Sequence, residues 1–176
     1  MSAAGPRSVN HQKSPIPAVV TPETSPRIGW REWVSFSEWG IAYLKAKVDT
    51  GARTSSLHVE NLEWLERDGI PWVRFEVKPW QRSSSDSVFA EAMVTATRNV
   101  RSSSGTVDHR PAIQATISIA GVTILAELTL TSRDEMGFRM LLGRQAIRGR
   151  FVVDPAVSYL GGRPDRASRQ KNRGVV

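Results

Sequence analysis

The sequence predicts an all-β domain, a closed or partly open β-barrel with one or two short helices. Three observations predict it. Short β-prone runs recur with turn residues between them. Helical periodicity is nearly absent. The 40% hydrophobic content suits one core of moderate size.

The 176 residues suffice for one domain with flexible ends. Residues 1–26 are rich in Pro, Ser and Thr and lack apolar periodicity, so they are expected to be disordered. The folded domain is expected over residues 27–161. Ile41–Val48 is β-type and runs directly into Asp49-Thr50-Gly51. Val59–Asp68 has a spacing that suits one or two helical turns. Trp72–Val77 alternates as a half-buried strand does, and Val88–Val100 is long and β-prone. Ala112–Ile119 and Val122–Thr131 meet at Ala120-Gly121, a hairpin signal. Arg139–Leu142 is a short apolar run that stops at Gly143, and Arg144–Arg148 suits a helical turn. Phe151–Val153 is a last short strand before Asp154-Pro155. Residues 162–176 carry five basic residues against Asp165 alone and are expected to form a disordered basic tail. The six Trp residues are expected mainly in the core.

The net charge of +7 sits mostly in that tail, and the body is nearly neutral. Nucleic-acid contact is therefore expected, if anywhere, through the tail. The absence of cysteine excludes disulfides, thiolate metal sites and a cysteine nucleophile. No run approaches the ~20 apolar residues that span a bilayer, and the first 26 residues hold no secretory-type apolar run. The chain reads as cytoplasmic, with no membrane contact.

Two stretches carry chemistry. In Lys47-Val48-Asp49-Thr50-Gly51-Ala52 an apolar strand delivers one carboxylate into a tight turn. Gly51 is expected to allow close approach and unusual φ, backbone N–H groups to hold the carboxylate, and Thr50 to brace the loop. Two such acids placed together share one proton and can activate a water against a carbonyl. Only one Asp-Thr-Gly is present, so a homodimer would supply the second. Asp49, Thr50 and Gly51 are the expected catalytic residues. The second stretch, Met140-Leu141-Leu142-Gly143-Arg144, pairs an apolar strand with a Gly that permits close packing.

In this order, these stretches resemble the retropepsin-like superfamily of aspartic peptidases. The match is most similar to its RimB-like branch, also labelled ATP-dependent zinc proteases. It extends over residues 45–58, 100–105, 110–111, 127–133, 140–144 and 152–154. The resemblance implies a retropepsin-like barrel with Asp49 in the catalytic place, acting on a protein or peptide. Relatives of this branch lie near a ligase that adds glutamates to a ribosomal protein, which suggests an acidic or glutamate-modified tail as substrate. Where viral retropepsins continue with acidic and apolar residues, this chain has Arg53-Thr54-Ser55-Ser56, which also favours an acidic substrate. Ala52, Arg53, Arg101, Ser103, Gly105 and Arg144 are the expected substrate-binding residues, with Arg101–Gly105 as a flap or substrate loop. Arg144 has a structural alternative.

No cofactor and no metal are expected. There is no His-Glu-x-x-His; His58 and His109 with Asp49 or Asp108 offer a site only if three ligands converge, as zinc usually requires, and His11 lies in the expected disordered tail. No Gly-rich phosphate loop with Lys is present either. Two other readings use the same residues: a non-catalytic peptide-binding module, and a ribosome- or RNA-associated protein tethered by its tail.

Overall fold

A computed structural model describes residues 25–101, 107–132 and 137–174. In chain order the strands are β1 (Arg27–Gly29), β2 (Arg31–Phe36), β3 (Ile41–Asp49), β4 (Ser55–His58), β5 (Glu60–Arg67), β6 (Ile70–Val77), β7 (Val88–Arg101), β8 (Val107–Ile119), β9 (Val122–Thr131), β10 (Met140–Gly143) and β11 (Val152–Asp154). Two short α-helices, α1 (Arg144–Ile147) and α2 (Arg166–Lys171), complete the list with a 3-10 turn at Ser37–Trp39. The protein is all-β, as its sequence predicts.

The sheet runs β2-β3-β10-β4-β9-β8-β7-β6-β5, and β2 also pairs with β8. That extra pairing, Val34 with Ile119 and Ser35 with Ser118, closes a ring. A closed ring removes the open edges that would otherwise invite pairing with other chains. Beyond it, β7 bends away to carry β6 and β5. The core fills the ring. On β2 the inward residues are Glu32, Val34 and Phe36, and on β3 they include Leu44, Ala46 and Val48. Alternate residues of β8 and β9, such as Ile113, Ile117, Leu128 and Leu130, complete it. This period-two alternation is what fixes each strand's register.

Glu32 is a fully buried acid in an otherwise apolar phase. Its carboxylate accepts from the backbone N–H groups of Gly29 (2.6 Å), Leu160 (2.8 Å) and Gly161 (3.2 Å). It thereby clamps the chain's exit segment onto β2. Burial of the charge is offset by three donors rather than by a cation.

Two local expectations are corrected. Val59–Asp68 is not helical: residues 60–67 form β5, turned into β6 by Asp68 and Gly69 at φ 54° and 74°. Residues 162–176 are not all without structure, because 166–171 form α2. The Asp165 carboxylate caps this helix by accepting from the Ser168 N–H at 2.9 Å. The helix end is tied to the body by Lys171 to Asp86 (2.6 Å) and by the Gln81 N–H to Asn172 Oδ1 (2.9 Å). Such tethers outweigh the repulsion that the charge count implied. Residues 1–24, expected to be disordered, lie outside the described residues.

Candidate active site

β3 and β4 follow one another in sequence but are not neighbours. β10 lies between them, parallel to β3 and antiparallel to β4. The pairing sets Leu142 beside Val48 and Gly143 beside Asp49. The two stretches singled out in the sequence, some ninety residues apart, therefore meet at one point.

The turn after β3 is built around the Asp49 carboxylate. Its Oδ1 accepts from the N–H groups of Gly51 and Ala52, each at 3.0 Å. Asp49 is half-buried, while Thr50 and Gly51 are exposed. Gly51 does not adopt an unusual φ, and a Cβ there would lie 3.3 Å from Asp49 Oδ1, a tight contact that would press on the carboxylate the turn holds.

Gly143 permits the tightest approach. A Cβ on it would fall 2.3 Å from the Thr54 carbonyl oxygen and 2.9 Å from the Ser55 nitrogen. The Gly143 N–H donates to the Ser55 hydroxyl at 3.0 Å, and Ser55 is buried. Thr129 Oγ1 in turn donates to the Ser55 carbonyl at 3.1 Å. At the start of α1, the Arg144 N–H donates to the Ala52 carbonyl (2.8 Å) and the Gln145 N–H to the Arg53 carbonyl (3.0 Å). The Arg144 guanidinium reaches the Thr50 carbonyl at 3.2 Å. The Asp49 loop is thus held by four donors from outside its own strand: Gly143, Gln145 and Arg144 through two groups. The Asp49 carboxylate is thereby held in one position relative to β10 and α1.

The residues expected from sequence fall as follows. Asp49, Thr50, Gly51, Ala52, Arg53 and Arg144 come together at this turn. The Arg53 side chain is exposed and makes no hydrogen bond or ion pair among the described residues, whereas Arg144 braces the loop. The brace expected from the Thr50 hydroxyl is supplied instead through its carbonyl. Arg101 ends β7 opposite Val107. Its side chain, together with Ser103 and Gly105, lies outside what is described. Sequence reasoning missed Ser55 as the acceptor for Gly143. The only signal was a Ser two residues ahead of the apolar Leu57.

Asp49 has no second carboxylate bonded to it among the described residues. Nor do they contain any group of three or more His, Cys, Asp or Glu able to hold a metal. His58 is buried with its Nδ1 unpartnered, and His109 lies on β8 opposite Asn99. This donor set does not fit a zinc site, which needs three or four convergent protein ligands. Among the described residues, no helix is long and apolar enough to cross a membrane.

Comparison with known proteins places the chain in a family. A family model described as "Retropepsin-like aspartic endopeptidase RimB" matches residues 27–164. A Shewanella halifaxensis protein named "Probable alpha-L-glutamate ligase" is 42% identical over 148 residues, covering 84% of this chain and 32% of that protein. A like-named Shewanella pealeana protein is 45% identical over 132 residues, covering 75% and 29%. The chain thus spans about a third of the length of these relatives. A crystal structure of a Legionella pneumophila protein of unknown function superposes with a TM-score of 0.66 at 27% identity, over 77% of this chain and 98% of that one.

Proposed function

The chain belongs to the RimB-like family of retropepsin-like aspartic endopeptidases, and on that premise we propose that it is a peptidase whose active centre is completed by a second copy of itself. Each copy contributes one Asp49. The observation that carries this reading is the Asp49 turn: a single carboxylate, oriented by two backbone N–H groups and locked by Gly143, with no acidic partner in its own chain among the described residues. Two-fold symmetry brings the same group of both copies to the axis.

The chemistry follows from the pair. Two carboxylates close together hold one proton between them. The ionised one takes a proton from a water as that water attacks the scissile carbonyl. The protonated one donates to the carbonyl oxygen as negative charge develops there. Collapse of the tetrahedral species passes a proton to the leaving nitrogen and breaks the C–N bond. Main-chain N–H groups on Oδ1 keep that oxygen oriented while Oδ2 does the acid-base work.

The substrate class we propose is a glutamate-bearing peptide. Two observations support it. The exposed guanidinium of Arg53 follows the catalytic turn, and Arg144 stands beside it. The relatives that contain this domain carry glutamate ligation in their names, and a hydrolase within such a protein would act on the bonds that the ligase makes. The ligase activity is named for proteins three times as long, so hydrolysis is the proposal for this part.

Incubation of the purified chain with a glutamate-tailed peptide, followed by mass spectrometry, tests the reading. Shortened peptides are expected from the wild type and none from Asp49→Asn at unchanged melting temperature. Equal cleavage by Asp49→Asn would overturn it. Binding without any cleavage by either protein would favour the peptide-binding module.

A further inference from the structure

The outward face of β3 alternates with the buried one and carries Lys45, Lys47 and Asp49 in succession. At about 3.3 Å per residue, Lys45 lies about 13 Å from Asp49 on the same side of the sheet. There it enters a groove of about 390 Å³. The groove has cations from three parts of the chain: Lys45 on β3, Arg82 after β6, and Arg163, Arg169 and Arg173 from the C-terminal segment. Trp33 and Tyr159 supply its aromatic lining.

The lining contains no Asp or Glu. None of the five cations has an ion-pair partner among the described residues. Lys45 donates only to Gln81 Oε1, at 3.4 Å, and Arg169 only to the Asp165 carbonyl. The indole N–H of Trp33 is buried with no acceptor. Five cations gathered without a counter-charge repel one another, and half-burial lowers the pKa of Lys45, with nearby Arg31 adding to the effect. An anion in the groove relieves this repulsion and satisfies the unpaired donors.

The aromatic rings distinguish between anions. Tyr159 is packed by Trp33 at 6.0 Å, Arg31 at 5.1 Å and Arg163 at 4.8 Å. Trp33 is packed further by Tyr43 and Trp80. The Tyr159 ring on which a nucleobase would stack is therefore already occupied by Trp33 and two guanidinium groups. A ligand of plain anionic groups on an extended backbone fits better, and the groove's place on the Asp49 strand face makes the peptide at Asp49 the nearest such ligand.

We propose that this groove is a second binding site, separate from the catalytic turn, that takes a run of carboxylates on an extended peptide about four residues from the bond being cut. The inference rests on the peptidase reading for its choice of ligand, and it adds the helix α2 segment to substrate recognition.

Direct binding separates the two ideas, because it does not require cleavage. Asp49→Asn is titrated with oligo-glutamates of increasing length, and with oligouridylate as the competing polyanion. Affinity is expected to climb once the peptide exceeds about four residues and to fall with added salt. Replacing Arg82, Arg169 and Arg173 together by Gln is expected to weaken binding of the long peptide about ten-fold, as three exposed charge contacts would. Carbodiimide coupling of the long peptide to the otherwise unaltered chain supplies a readout independent of the variant's folding: Lys45 is expected among the cross-linked residues. Length-independent affinity, a triple variant that folds and binds as before, coupling that spares Lys45, or tighter binding of oligouridylate would each overturn the proposal. Groove binding without cleavage would leave it standing and count against the peptidase reading alone. Cleavage without groove binding would do the reverse.

Discussion

Replacing Gly143 by Ala tests how the Asp49 turn is held. The added Cβ would sit 2.3 Å from the Thr54 carbonyl oxygen, 2.4 Å from its carbon and 2.9 Å from the Ser55 nitrogen. All three are main-chain atoms and cannot rotate aside. Ordinary contact requires more than 3 Å, so β10 and the 52–55 loop must separate by about 1 Å. Overpacking of this kind costs about 1–3 kcal/mol. For a domain of this size that lowers the melting temperature by about 3–10 °C. The separation also stretches the Gly143 bond to the Ser55 hydroxyl and the Arg144 bond to the Ala52 carbonyl. Both orient the segment that carries Asp49. A displacement of about 1 Å can cost about 100-fold in rate, so cleavage should fall far more than stability alone explains. The assay is thermal unfolding alongside peptide cleavage at a temperature where both proteins are folded. A variant with wild-type melting and wild-type cleavage would refute the claim that Gly143 is there for close approach.

Three further outcomes follow from the same contacts. Ser55→Ala leaves the buried Gly143 N–H without its acceptor and should cost about 1–3 kcal/mol in denaturant unfolding; Ser55→Thr, which keeps a hydroxyl, should lose less cleavage activity. Glu32→Ala strands three backbone donors at Gly29, Leu160 and Gly161 and should destabilise by about 3 kcal/mol or more, with faster hydrogen exchange at residues 160–161. The Asp86 carboxylate is held below its usual pKa by hydrogen bonds from Lys171 and Trp80. Its contribution is therefore present above the ordinary Asp pKa of 3.8 and is lost as pH falls through the lowered value. Asp86→Asn should accordingly speed hydrogen exchange in α2 at neutral pH; acid also discharges the Asp165 cap, whose pKa is lowered too, so both proteins should loosen at α2 below about pH 4, the wild type by the larger step.

The local elements were legible where a period or a turn marked them. Ile41–Asp49 and Met140–Gly143 stood out as apolar runs ending in Asp-Thr-Gly and Gly. Ala120-Gly121 announced its hairpin, and the φ angles of 48° and 78° there are those such a two-residue turn requires. The same signal, Asp68-Gly69, was present between β5 and β6. β5 pairs only with β6 among the described residues and is largely exposed, so it carries little of the apolar alternation that marks a strand. Glu32 was readable in principle, since it occupies the inward phase of Val34 and Phe36 and an acid there demands donors. Insertion of β10 between β3 and β4, and closure of the ring by β2 and β8, were not readable. Those pairings depend on contacts between segments some eighty to ninety-five residues apart, which no local pattern encodes. The C-terminal helix was hidden for a related reason. Composition reports its repulsion, while its tethers to Asp86 and Gln81 exist only once the barrel has formed. At the site, the Asp-Thr-Gly stretch and the resemblance singled out Asp49 and its turn as the residues to examine. The donors that hold the turn became visible only with the fold.

Whether one active centre takes Asp49 from two chains is measured directly by mixing. Wild type and Asp49→Asn are unfolded, combined in varied ratios, refolded and assayed for cleavage. If both carboxylates are required, activity follows the square of the wild-type fraction, so an equal mixture retains about a quarter of full activity. A straight-line dependence, with about half retained, would show that each chain works alone and would contradict the account.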